Sequence, residues 1–86
     1  MNINQLIETV KNKINKNIPC DKIEIEDKSF LHKEHSSNDK SKFHIKLVVN
    51  SKYLRKKNKI DSTKEIYKVL DEELKNYIHS IQILIN

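Results

Sequence analysis

The sequence predicts an α+β domain in which helices cover one face of a three-stranded mixed sheet. The expected order is helix, strand, strand, helical turn, helix, strand. Three observations carry this. The first segment repeats its apolar residues with a helical period. Three later segments alternate apolar and polar residues. A helical stretch separates the second and third strands, the crossover that parallel neighbours require.

Each element follows from local pattern. Ile3, Leu6, Ile7, Val10 and Ile14 form one helical stripe, with Asn2 and Gln5 placed as a capping box. Pro19 cannot extend the hydrogen-bond ladder and closes that helix. Lys22 to Glu26 alternates as a half-buried strand, with Ile23 and Ile25 toward the core. Residues 28–41 are rich in Ser, Asn and Asp without a clean period, which predicts a long loop. Phe43, Ile45, Leu47 and Val49 mark one face of the second strand, and a short helical turn is expected over Ser51 to Lys57. Ser62-Thr63-Lys64-Glu65 has the form of a capping box. It is read as the start of the long helix that carries Ile66, Tyr67, Val69, Leu70 and Leu74 to about Asn76. Ile78 to Ile85 is the last strand, with Ile81, Ile83 and Ile85 inward.

Composition limits the function classes. The 86 residues amount to one domain, 1–86, with no linker and no internal repeat. Glycine is absent, which excludes a Walker A loop, a dinucleotide fingerprint and a Gly-x-x-Gly clamp on a nucleic-acid backbone. No apolar run is long enough to span a membrane, and the N-terminus lacks the pattern of a secretory signal. The single cysteine, Cys20, has no internal disulfide partner, so a reducing, cytoplasmic setting is expected. The formal net charge is +5, from 17 Lys+Arg against 12 Asp+Glu. Abundant Lys, Asn and Ile with no Ala or Gly is also the mark of AT-biased coding, so the charge alone is a poor guide to partners. Asp27, Ser29 and His32 stand close in sequence, but no strained elbow or oxyanion nest accompanies them, and no catalysis is expected.

The histidines carry the sharper signal. If the third strand runs parallel beside the second, both begin at the same end of the sheet, where the long loop also departs. His32 and His35 in the loop, His44 at the start of the second strand and His79 at the start of the third then gather at one rim. Imidazoles converging on an open rim are the donors of a transition-metal site. His79 shares parity with Ile81 and Ile83, so its ring is expected to point inward to the sheet–helix seam. His44 has the opposite parity and is expected to face solvent, away from it. His32, on the loop, can reach toward His79, and His35 is the other loop candidate. A second surface consists of Lys52, Arg55, Lys56, Lys57 and Lys59, a cationic run with no acid between its members, suited to phosphate contacts.

Taken together, these residues resemble the BolA-like protein family over about Ile7 to Ile85. The resemblance rests on Asp27-x-Ser29-x-x-His32-x-x-His35, on His44-Ile45-Lys46 followed by apolar residues and Ser51, on Ile66-Tyr67-x-x-Leu70-x-x-Glu73-Leu74, and on Ile78-His79-x-Ile81. It implies a class II KH-like fold. It also implies a monothiol glutaredoxin partner and a 2Fe–2S cluster shared with it. The glutaredoxin side gives a cysteine thiolate and a glutathione thiolate. The BolA-like side gives the residues matching His79 and His32. Imidazoles in place of thiolates on one iron raise the cluster's potential and make its ligation depend on protonation. The isolated chain is expected to be a monomer holding no cluster. The chain departs from the family at Lys56, where glycine is frequent, and at Ser62-Thr63, where Arg-His is frequent. Both positions fall in the segment linked to nucleic acid. The alternative reading is a DNA-binding transcriptional regulator that uses the basic turn-helix segment.

Overall fold

A computed structural model describes residues 1–29 and 42–86. Helix α1 spans Ile3–Asn17, and the Asn2–Gln5 capping box forms as the sequence predicts, with Gln5 N–H donating to Asn2 Oδ1 at 2.8 Å and Asn2 N–H donating to Gln5 Oε1 at 3.0 Å. Strands β1 (Lys22–Asp27), β2 (Phe43–Asn50) and β3 (Ile78–Ile85) form one sheet in the order β1-β2-β3. β1 and β2 are antiparallel, and β2 and β3 are parallel. Between β2 and β3 run α2 (Lys52–Arg55), α3 (Lys59–Val69) and α4 (Asp71–Asn76). This is the mixed-sheet α+β architecture anticipated above, and the crossover between parallel strands is the reason for it.

The core lies between the helices and the inner face of the sheet. Leu6, Val10 and Ile14 of α1, Ile45, Leu47 and Val49 of β2, and Leu54, Ile66 and Leu70 of the crossover are buried together. Each such side chain contributes roughly 1.5–3 kcal/mol by leaving water. One buried carboxylate interrupts this apolar set: Glu73 is 3% exposed and accepts from Lys13 Nζ through both oxygens, at 2.9 and 2.7 Å. That ion pair ties α4 to α1.

Two local expectations fail in the crossover. The long helix does not start at Ser62. Asn58 is its N-cap, accepting from Asp61 N–H at 2.8 Å, and α3 is already running at Lys59. Ser62 is instead buried, and its hydroxyl donates to the Leu54 carbonyl at 2.7 Å, pinning α3 to α2. Glu65 turns to Lys57, not to a cap. The helical stretch also breaks at Leu70, whose φ of −99° and ψ of 17° leave helical geometry, so a separate α4 follows.

Candidate functional site

Parallel pairing of β2 and β3 puts the starts of both strands at one end of the sheet. The chain leaves β1 at the same end. Lys28 N–H donates to the His44 carbonyl at 2.7 Å, and His44 N–H donates to Ser29 Oγ at 3.1 Å. Ser29 is itself held by its N–H donating to Asp27 Oδ1 at 2.9 Å. The described chain stops at Ser29 on this rim and resumes at Lys42, and His32 and His35 lie outside the described residues. His44 and His79 do meet there.

How they meet differs from the parity argument. The β2–β3 register pairs Phe43 with Ile78 but His44 with Ser80, so β3 carries one extra residue at its start, His79. An inserted residue reverses the alternation on its own side of the bulge. Ile78 therefore takes the inward position, 3% exposed, and Ile81 resumes it opposite Ile45. His79 is exposed and does not enter the sheet–helix seam. Its ring lies 4.9 Å from that of His44, at an interplanar angle of 51°. His44 does lie on the outer face, as parity requires, but it is not separate from His79. Its Nδ1 shares a 2.6 Å hydrogen bond with Ser80 Oγ, which fixes the ring that His79 packs against.

The rim thus presents one exposed imidazole braced by a second, half-buried one. No group of three or more His, Cys, Asp or Glu able to hold a metal occurs among the described residues. A neutral imidazole on an exposed rim is a donor to a transition metal. Cys20 sits apart, near the Pro19 turn, and burial pushes its thiol pKa upward, with the Asp21 carboxylate adding to the effect.

The cationic segment forms the α2–α3 turn. Lys52, Arg55, Lys56 and Lys59 are exposed. Lys57 is engaged: its Nζ donates to Glu65 Oε1 at 2.7 Å and lies 4.7 Å from the centre of the Tyr53 ring. The Glu65 hydrogen bond, followed by that with Tyr53, raises the Lys57 pKa, and the same contact with Lys57 lowers that of Glu65. Tyr53 also donates to Glu65 Oε1, at 3.0 Å. Sequence spacing put five cations on this surface, whereas one of them is neutralised within the fold.

Sequence reasoning missed the buried hydroxyls that shape this turn. Ser51 is 1% exposed, donates to the Pro19 carbonyl at 2.6 Å and accepts from Leu54 N–H at 3.1 Å. A serine directly after a strand and before a short helical turn is a cap signal, but nothing local reveals its second partner at Pro19.

An αββαααβ order, in which α3 and α4 stand where one long helix was expected, a mixed three-stranded sheet and an exposed histidine at the start of its last strand define a class II KH-like domain with an open imidazole rim. The model of the BolA-like protein family matches residues 14–86, and the chain belongs to that family. It is 35% identical over 83 residues to the DNA-binding transcriptional regulator BolA of Haemophilus influenzae, covering 96% of this chain and 75% of that protein. Among solved structures it resembles the BolA domain of SufE1 from Arabidopsis thaliana, with a TM-score of 0.76 and 23% identity over 100% of this chain and 93% of that one. BolA1 from Arabidopsis thaliana gives a TM-score of 0.75 at 23% identity, covering 92% of this chain and 87% of that one. BolA1 from Mus musculus gives 0.71 at 18% identity, covering 90% and 60% respectively. These structures share its fold.

Proposed function

We propose that this chain is a BolA-like adaptor that docks on a monothiol glutaredoxin and holds one side of a 2Fe–2S cluster shared with it. His79 is the preorganised ligand, and His32, or alternatively His35, is the ligand brought by the loop. The carrying observation is the His79 imidazole, turned out of the sheet by the register shift and braced by His44 at the rim where the described chain stops at Ser29 and resumes at Lys42. A ring already placed for contact loses little freedom on binding. The glutaredoxin side supplies a cysteine thiolate and a glutathione thiolate. The cluster supplies electron storage whose potential rises when imidazole replaces thiolate. This chain's own task is to present a neutral imidazole nitrogen. It acts as a binding partner and performs no catalytic step.

Co-expression with a monothiol glutaredoxin, followed by visible absorption and circular dichroism of the purified complex, tests this. The wild-type complex is expected to give a cluster spectrum distinct from that of the glutaredoxin alone. His79→Ala is expected to abolish that spectrum or convert it to the glutaredoxin form. An unaltered spectrum in the His79→Ala complex overturns the assignment.

A second reading has its own support. The relative from Haemophilus influenzae is named as DNA-binding, and the α2–α3 turn of this chain exposes Lys52, Arg55, Lys56 and Lys59. On that reading the turn contacts phosphates without reading bases.

A further inference from the structure

Strand β3 is an edge, with β2 as its strand partner among the described residues. Asn86, just beyond it, directs both its N–H and its C=O to the β2 side, donating to the Val49 carbonyl and accepting from Ser51 N–H, each at 2.9 Å. Successive residues of a strand alternate in this respect, so the N–H and C=O groups of Ile81, Ile83 and Ile85 point to the open edge. Natural sheets guard such edges with charge, proline or a covering element. The opposite edge, β1, is guarded, since Lys22, Glu24, Glu26 and Asp27 lie along it. From Ile78 to Ile85, β3 contains no Lys, Arg, Asp, Glu or Pro.

A cavity of about 290 Å³ lies beside this edge. Ile83, Leu84 and Ile85 all line it. Consecutive strand residues point to opposite faces, so a cavity that touches three in a row opens along the strand's side. Its other wall comes from α2 and α3 and carries Arg55, Lys57 and Lys59, with no acid among the lining residues. Arg55 and Lys59 have no ion-pair partner among the described residues, whereas Lys57 is held by Glu65. The cavity therefore joins an unguarded backbone ladder, an aliphatic floor and a positive wall.

We propose that this edge binds an extended acidic peptide segment of another protein, added as a fourth strand beside β3. Backbone hydrogen bonds to Ile81, Ile83 and Ile85 supply much of the affinity, an aliphatic side chain enters the cavity, and flanking carboxylates meet Arg55 and Lys59. Peptide is favoured over single-stranded nucleic acid because no aromatic side chain lines the cavity to stack a base, and no glycine in the α2–α3 turn admits a close backbone approach. The inference is independent of the cluster at the opposite end of β3.

The test uses the full chain and a fluorescein-labelled heptapeptide of alternating glutamate and valine, read by fluorescence anisotropy. Comparison probes are the lysine–valine analogue, the same acidic peptide N-methylated on alternate backbone nitrogens, and a short oligothymidine. The acidic peptide is expected to bind at least about tenfold more tightly than the lysine analogue, and R55E/K59E to weaken it by a similar factor. N-methylation is expected to abolish binding, and the amides of Ile83 and Ile85 to become protected from hydrogen exchange when the peptide binds. Both substituted positions are exposed, and far-UV circular dichroism verifies the fold of the variant. The proposal is overturned if the N-methylated peptide binds as well as its parent, or if R55E/K59E is without effect. It is equally overturned if oligothymidine protects the edge while the peptides do not. Edge protection that rises with protein concentration in the absence of peptide would assign the surface to a second copy of this chain instead.

Discussion

Substituting Ser51 by alanine isolates the contact that sets the α2–α3 turn in place. The Ser51 hydroxyl has two partners, Leu54 N–H and the Pro19 carbonyl. Leu54 is fully buried, so its orphaned N–H finds no water, a cost of about 1–3 kcal/mol that already includes the lost helix cap. Pro19 is exposed, and its carbonyl regains water at a cost of about 0.5 kcal/mol. The serine and alanine side chains differ by one oxygen, so the cavity term is small. The sum is about 1.5–3.5 kcal/mol, or roughly a 6–28 °C fall in Tm for a domain of this size. Asn58→Ala removes a cap of the same kind at an exposed site, where water replaces the lost acceptor, and should cost about 0.5–1 kcal/mol. Urea unfolding of both variants at neutral pH, with thermal melts alongside, measures the difference. Equal losses in the two variants, or a loss below about 1 kcal/mol for Ser51→Ala, would refute the burial argument.

Three further outcomes follow from the structure. Lys13→Met leaves the buried Glu73 carboxylate without its cation. Because Lys13 is about one-third exposed, the loss at neutral pH should be about 2 kcal/mol, below the range for fully enclosed pairs. Hydrogen bonding to Glu73, partly opposed by desolvation, raises the Lys13 pKa above the ordinary lysine value of 10.5, so the wild-type advantage is complete below that pH and disappears as pH rises through the raised value; a urea-unfolding gap that persists unchanged at strongly alkaline pH would count against the pair. In the glutaredoxin complex, His44→Ala should leave a weaker, more labile cluster spectrum where His79→Ala leaves none, and equal spectra from the two variants would show that the bracing ring matters as much as the ligand. For any DNA binding, K56Q/K59Q should weaken all sequences alike and flatten the slope of log K against log salt by about 0.9 for each phosphate no longer neutralised; strong discrimination between sequences that survives the substitutions would rule out a phosphate-only surface.

Much of the fold was legible because it depends on short-range pattern. The stripe from Ile3 to Ile14, the alternation in β1 and β2 and the Asn2–Gln5 box are each complete within a few residues, and the structure reproduces them. The parallel pairing of β2 and β3 was also legible, because a helical crossover leaves few other connections. The start of α3 was not. Both Asn58 and Ser62 are cap-forming residues followed by plausible first turns, and propensity alone does not rank them. Ser62 lost that role because the turn brings the Leu54 carbonyl within 2.7 Å of its hydroxyl, and a buried carbonyl takes the nearest donor. Tyr67 likewise falls on the predicted apolar stripe of α3 yet is exposed, because the buried line of the helix runs through Ser62, Ile66 and Leu70, and Tyr67 stands about 100° round the helix from Ile66.

At the candidate site the division is sharpest. Parity within a single strand assigns His79 to the inner face and His44 to the outer one, and that reasoning is sound while the two strands stay in phase. Local pattern alone is enough to put both imidazoles at the starts of adjacent parallel strands, hence at one end of the sheet. The pairing of β2 with β3 is what admits one extra residue into β3 between Ile78 and Ser80, and neither strand's pattern shows it. That shift buries Ile78, turns His79 outward and brings its ring to 4.9 Å from His44. The physical reason is that periodicity is a property of one strand, whereas register belongs to two strands and to the core they share. A one-residue slip leaves the pattern of each strand intact and reverses the face of every side chain on one side of it.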